Sequence, residues 1–248
     1  MFQSSFKTLS AKAAALLDQE LMSSGSFSID QLMELAGLAV AKAVYHEYPS
    51  TGRNKVLVLV GPGNNGGDGL VAARHLKLWG KHEPIIYYPK KSTKNQLYAN
   101  LLNQLKDLEI AEIESNEEVI EMLNVSPKDQ NGVKVIIDSL FGFSFKPPIR
   151  DPFKDLIKYL SDNNGKIAPI VSVDIPSGWD VDQGPVDIDI NATTLISLTA
   201  PKPCANHFAK PGKTHYLGGR FINGKIAQKY DLQDLLSLYK NDDLIVKL

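Results

Sequence analysis

The sequence predicts an α/β domain built on a doubly wound parallel sheet, and three observations carry that expectation. Strand-like and helix-like segments alternate from residue 55 onward. The strand-like runs are apolar at nearly every position, as strands buried on both faces require. The length of 248 residues, with 43% hydrophobic content, suits one large core better than two small ones.

The elements follow in order. Over residues 10–48 apolar side chains recur at helical spacing, through Ala14, Leu17 and Leu21, then through Leu32, Leu35, Ala36, Ala39, Val40 and Val44, which predicts two helices. Ser28 followed by Gln31 matches a capping box, so the second helix starts there. Residues 55–60 (KVLVLV) form the first strand and Gly61 ends it. A helix over 70–79, a strand over 84–88, a helix over 94–108, a short strand over 109–114 and a helical turn or two over 117–123 come next. Residues 133–139 (VKVIIDS) are another buried strand. Residues 151–161 are a helix entered through Pro152, in the first turn, where a missing amide is harmless. Strands over 170–175 (IVSVDI) and 193–199 (TTLISLT) complete the series. Right-handed crossovers join such strands. No repeat, low-complexity tract or linker interrupts the chain, so residues 1–248 read as a single domain.

Composition narrows the function. Twenty-seven Lys and Arg against 28 Asp and Glu give a formal net charge of -1, so no general basic field draws nucleic acid or anionic lipid. An anionic ligand must be captured locally. Cys204 is the only cysteine, which rules out an internal disulfide or cysteine-rich metal site and points to a reducing compartment. No stretch reaches the roughly 20 apolar residues that span a bilayer. A soluble protein of the cytoplasm is expected. The opening MFQSSFKTLSAKAAALL has Lys7 and Lys12 and no acid before Asp18, as in a mitochondrial presequence, but it lacks arginine and equally starts a helix. Mitochondrial targeting stays open on that ground.

In doubly wound sheets the ligand lies beyond the carboxyl ends of the strands, so the residues just after each buried run are the informative ones. The first such edge is Gly61-Pro62-Gly63-Asn64-Asn65-Gly66-Gly67-Asp68-Gly69, expected as a loop before a helix starting near Leu70. Glycines there permit positive backbone angles and close ligand approach, and free amides at the helix start favour phosphate. The spacing of Gly61, Gly63 and Gly66 is a weak signal by itself, since a tight strand-to-helix turn would also use it. Asn64, Asn65 and Asp68 add amide and carboxylate oxygens, a polar cradle with room for a cation. A standard dinucleotide fold would show an acid after the second strand, but that edge reads Tyr87-Tyr88-Pro89-Lys90-Lys91.

Asp138 is the only acid in VKVIIDS and stands where the buried strand gives out; its alternative role is a turn or cap aspartate. Arg150 nearby is either a phosphate partner or a solvated arginine. Asp174, in VDIPSG, interrupts a third buried run and is held by a Pro/Gly turn, which makes it the expected catalytic acid/base. Ser177 with Asn65 and Asp138 forms an all-oxygen set with one carboxylate, suited to a hard monovalent ion. Lys202 at the fourth edge either meets a phosphate or is solvated. His46, His75, His82, His207 and His215 show no paired ligand spacing, and neither a nucleophile elbow nor a P-loop lysine appears.

Taken together, LMELAG at 32–37, GPGNNGGDG, Asp138 with Phe141-Gly142 and Arg150, and VDIPSG resemble the NAD(P)H-hydrate epimerase family, the YjeF N-terminal domain, in its stand-alone eukaryotic form. The likeness runs from about Leu9 to Gly219. It implies a Rossmann-like, three-layer α/β/α sandwich with a mostly parallel sheet, a homodimer, and interconversion of the R and S hydrates of NADH and NADPH. It further implies one potassium ion per subunit on Asn65, Asp138 and Ser177. Substrate contacts would come from Asn64, Asn65, Gly66, Gly67, Asp68, Gly142, Phe143, Ser144, Phe145, Lys146, Pro147, Pro148 and Asp174. The chain departs from the family at Phe143, where members often carry Gly. Two rivals are a non-catalytic scaffold of the same fold, as in messenger-RNA decapping proteins, and an ordinary nicotinamide-dependent oxidoreductase. The intact Asp174 and polar cradle argue against the first, the missing ribose-binding acid against the second.

Overall fold

A computed structural model describes residues 6–50, 52–93 and 96–248. Part of the presequence reading (residues 1–5) and the start of the fourth helix at Lys94 fall outside the described residues. Helices α1 (Ala11–Met22) and α2 (Ile29–Glu47) open the fold. The capping box at α2 is formed: the Gln31 amide donates to Ser28 Oγ at 3.2 Å, and the Ser28 amide donates to Gln31 Oε1 at 2.9 Å.

β1 (Asn54–Val60), α3 (Asn64–Leu78), β2 (His82–Tyr87), α4 (Gln96–Asp107), β3 (Ala111–Ile113) and α5 (Asn116–Asn124) build one half of the sheet. β4 (Val133–Ser139), α6 (Phe153–Asp162), β5 (Ile170–Val173), β6 (Thr194–Leu198), α7 (Ala205–Phe208) and β7 (Thr214–Gly218) build the other. α8 (Gly224–Tyr230), α9 (Gln233–Ser237) and β8 (Ile245–Lys247) follow. The spatial order is β3-β2-β1-β4-β5-β6-β7-β8; every pairing is parallel except β7 with β8. The winding direction reverses between β1 and β4, which makes their carboxyl ends the switch point where such sheets hold ligands.

Side chains of β1 show the three layers. Val56, Val58 and Val60 enter the core under α2, α3 and α4, whereas Leu57 and Leu59 enter the core under α5 and α6. The period of two thus delivers apolar groups to both faces. A third cluster joins Leu9, Leu17 and Leu21 at the α1 end to Leu217, Ile226 and Leu235, fixing α1 over the carboxyl side of the sheet.

Three expectations needed correction. α3 begins at Asn64, with Gly63 as its extended N-cap residue, not near Leu70, so NNGGDG is helix rather than loop. None of Gly61, Gly63, Gly66, Gly67 and Gly69 has a positive φ. What Gly61, Gly66, Gly67 and Gly69 supply is room. A Cβ on Gly66 would strike the Gly61 carbonyl, so α3 lies against the end of β1 closer than any side chain allows, while one on Gly67 would meet the end of the Met33 side chain from α2. Finally, the strand series does not end at residue 199, because β7 and β8 extend the sheet. β7 is short and polar at its start (THY), and β8 has three residues, which leaves little pattern to detect.

Candidate active site

A cavity of about 400 Å³ opens over the carboxyl ends of β1, β4, β5 and β6, walled by α1, α2 and the start of α3. Of the sequence-derived candidates, Asn64, Asn65, Asp68, Gly142, Phe143, Ser144, Phe145 and Asp174 line it. Gly66 and Gly67 do not; they face the Gly61 backbone and Met33. Lys146, Pro147 and Pro148 are exposed and lie off the lining, as does Arg150. The stretch after Phe145 runs away from the cavity, so the substrate segment assigned to 142–148 is only partly a wall.

Asp138 and Ser177 lie beneath the floor as a clamp between strand ends. Asp138, 0% exposed, accepts hydrogen bonds from Ser172 Oγ (2.8 Å), the Ser177 amide (2.9 Å), Ser177 Oγ (2.5 Å) and the Leu140 amide (3.4 Å). Burial pushes its pKa up, and the two serines pull it back. Ser177 Oγ also accepts from the Phe141 amide at 3.2 Å. The Asn65 amide nitrogen donates to the carbonyls of Phe141 (3.0 Å) and Val173 (3.2 Å). Asn65, Phe141, Ser177 and Asp138 therefore form one connected polar network. Among the described residues no three His, Cys, Asp or Glu side chains gather to hold a metal ion. A cation on this network would rest on one carboxylate with amide and hydroxyl oxygens, a donor set that fits a hard monovalent ion.

Asp174 owes its position to backbone geometry. It takes φ 66° in a γ-turn closed by the Ile175 amide on Val173 O at 2.7 Å, while its own amide donates to Ile196 O at 2.8 Å. Thr199, at the end of the neighbouring strand, repeats this with φ 67° and the Ala200 amide on Leu198 O at 2.7 Å. Such left-handed residues cluster at functional sites. Both carboxylate oxygens of Asp174 are engaged: Oδ2 accepts from the Phe143 amide at 3.0 Å, and Oδ1 accepts from Lys202 Nζ. Lys202, 3% exposed, also donates to Leu198 O at 2.9 Å and lies 5.5 Å over the Phe143 ring. It is neither solvated nor a free phosphate receptor, but the buried ion-pair partner of Asp174.

Two further acids face this pair. Asp68 is 7% exposed, and burial, then the Asp174 and Asp18 charges, raise its pKa well above the usual carboxylate range. Asp18 on α1 also lines the cavity; burial raises its pKa to about 6, with Lys202 opposing and Asp174 adding. Sequence reasoning overlooked Asp18, although it sits one turn from Ala14, beside the apolar stripe of Leu17 and Leu21, where an acid is out of place. It also missed Tyr98, whose hydroxyl donates to Asn64 Oδ1 at 2.8 Å from α4.

Sheet order and rim together define a Rossmann-like α/β protein whose switch-point cavity carries a lysine-held carboxylate over an oxygen-rich floor. Residues 29–204 match the model for the YjeF-related protein N-terminus, and the chain belongs to that family. It is 63% identical over 256 residues to the NAD(P)H-hydrate epimerase of Candida albicans, covering 98% of each chain. It is 44% identical to the NAD(P)H-hydrate epimerase of Saccharomyces cerevisiae, covering 99% of this chain and 100% of that one. The crystal structure of yeast ynu0 superposes with a TM-score of 0.89 at 43% identity, over 98% of this chain and 100% of that one.

Proposed function

We propose that the chain is an NAD(P)H-hydrate epimerase, an isomerase that interconverts the R and S hydrates of NADH and NADPH within a single domain. The observation that carries the reading is Asp174, fixed on the cavity wall with Lys202 as its counter-ion. The similarity over 98–99% of the chain to the epimerases of Candida albicans and Saccharomyces cerevisiae supports it.

Epimerisation exchanges a hydroxyl between the two faces of the carbon next to the nicotinamide ring nitrogen. When that hydroxyl leaves with a proton, the ring nitrogen pushes its lone pair toward the carbon and a planar iminium forms, which water attacks on either side. Asp174 moves the proton, and its charge steadies the iminium. The Phe143 amide and Lys202 hold the carboxylate in place. Asn64, Asn65 and Asp68 meet the dinucleotide from α3, with Tyr98 orienting Asn64. The amides of the first turn of α3 suit a phosphate. Asn65, Asp138 and Ser177 would hold a potassium ion, which would supply fixed positive charge at the floor of the cavity. The active form is a homodimer acting in the cytoplasm, with a mitochondrial pool as the alternative location; no helix among the described residues is long and apolar enough to cross a membrane.

The test is chromatography of hydrates depleted in one epimer. The wild-type chain should restore the mixture faster in potassium than in potassium-free buffer, and Asp174→Asn should still bind hydrate while losing about 10²- to 10⁴-fold in turnover. An Asp174→Asn enzyme with wild-type turnover would remove the residue from the mechanism. An ordinary oxidoreductase would instead change the nicotinamide absorbance.

A further inference from the structure

The mechanism above uses Asp174 and leaves Asp18 without a task. We propose that Asp18 is a second proton-transfer residue, reaching the hydrate from the α1 wall of the cavity while Asp174 reaches it from the strand rim. The proposal rests on the epimerase reading and adds a catalytic group to it.

Placement is the first argument. Ala14, Leu17 and Leu21 bury the inward face of α1, and Asp18, next to Leu17, comes out at the edge of that face on the cavity. Availability is the second. Among the described residues the Asp18 carboxylate meets no hydrogen-bond donor or ion-pair partner, whereas Glu20 on the same helix is held by Lys229 and Tyr230. A half-buried acid without a protein partner is costly unless a ligand meets it.

The reaction supplies the third argument. Inversion requires departure from one face of the ring and arrival at the other. Asp174 is pinned by its γ-turn, by the Phe143 amide and by Lys202, so it cannot swing between faces. A second group on another wall removes that difficulty. The charge balance agrees: among the described residues Lys202 is the one cation that faces Asp18, Asp68 and Asp174, and it is committed to Asp174. Burial of Asp18 and the nearby Asp174 charge therefore favour its protonated form against the pull of Lys202, up to about pH 6. Asp68 is buried more deeply, and that burial raises its pKa well above the usual carboxylate range.

The step balances without an added reagent. Asp18 gives its proton to the departing hydroxyl, the carbon–oxygen bond breaks with its electron pair going to oxygen, and water is released as the ring nitrogen forms the iminium. A second water adds on the other face through an oxygen lone pair, and its proton goes to Asp174. The reverse epimerisation returns the proton, or exchange with cavity water resets the pair.

The experiment measures kcat, KM and their pH dependence for the full chain with a single hydrate epimer. Asp18→Asn should lower kcat by about 10²-fold or more, leave KM within about threefold, and abolish the decline in rate above pH 6 that the wild type shows. Asp18→Glu should recover part of the loss. Wild-type-like turnover in Asp18→Asn would overturn the proposal, as would a loss that leaves the pH profile unchanged. Should Asp18→Asn not fold, carbon NMR of the wild type decides: an Asp18 midpoint near the ordinary 3.8 overturns the proposal, and one near 6 supports it. An inactive wild-type chain would sink the epimerase reading and this inference together, whereas an active wild type with an indifferent Asp18→Asn sinks this inference alone.

Discussion

Gly66 and Gly67 are neighbours in α3, and the structure assigns their alanine variants opposite outcomes. A Cβ on Gly66 would overlap Gly61 O and lie 2.8 Å from the Gly61 carbonyl carbon, so only backbone movement relieves it. Overpacking of this kind costs typically about 1–3 kcal/mol, and a backbone obstacle places this site at the upper end. Alanine recovers up to about 1 kcal/mol of helix propensity. The net expectation for Gly66→Ala is a loss of about 2 kcal/mol. On Gly67 the Cβ would meet the end of Met33, 2.5 Å from its Cε, and an unbranched side chain can rotate away for about 0.5–1.5 kcal/mol. That nearly cancels the propensity gain, so Gly67→Ala should stay within about 0.5 kcal/mol of wild type. Urea denaturation measures both. With a slope of about 3 kcal/mol/M the first variant should shift its midpoint down by roughly 0.7 M and the second hardly at all. Equal midpoints, or a worse Gly67→Ala, would refute the view that these glycines exist to let α3 approach β1.

Asp18→Asn should be more stable than wild type at neutral pH. The folded-state pKa is raised to about 6 from 3.8, so between those values the folded wild type binds the extra proton and loses stability as pH rises. The variant's advantage should be nil below pH 4 and reach about 1–3 kcal/mol above pH 6 in denaturation curves. His215 runs the other way: burial lowers its pKa to about 4 from 6.5, so the unfolded state takes the proton first and stability falls on acidification through that window. His215→Gln lacks this slope, and its gap to wild type should narrow by about 3 kcal/mol between pH 6.5 and 4; an unchanged gap would show that His215 titrates normally. Ser177→Ala removes the Oγ donor from the buried Asp138 and should cost about 1–3 kcal/mol of stability together with the response of turnover to potassium.

The alternation of buried strands with amphipathic helices was readable because each central strand is apolar on both faces. Asp138 and Asp174 stood out because each is a lone acid at the end of such a run. The start of α3 was not readable: local preference makes NNGGDG a loop, and only packing against Gly61 and Met33 makes it helix. Lys202 read as either a phosphate partner or a solvated lysine, and not as the partner of Asp174, because that partner is 28 residues away in sequence and a salt bridge between two strand ends leaves no local pattern. Asp18 did leave a trace beside the apolar stripe of α1, but its meaning depends on α1 lying over the sheet, which the tertiary contacts of Leu17 and Leu21 decide. β7 and β8 are too short to carry a period of two over enough residues.

The left-handed backbone at Asp174 determines what its replacement can reveal. Asparagine and aspartate enter that region more readily than other side chains, so an amide there changes proton chemistry while leaving the chain path alone. Alanine or glutamate would oppose the turn as well as the reaction, and the loss they caused would mix a disturbed rim with a missing acid. At this position the customary truncation to a methyl group is the less informative substitution, and the near-isosteric one isolates the chemistry.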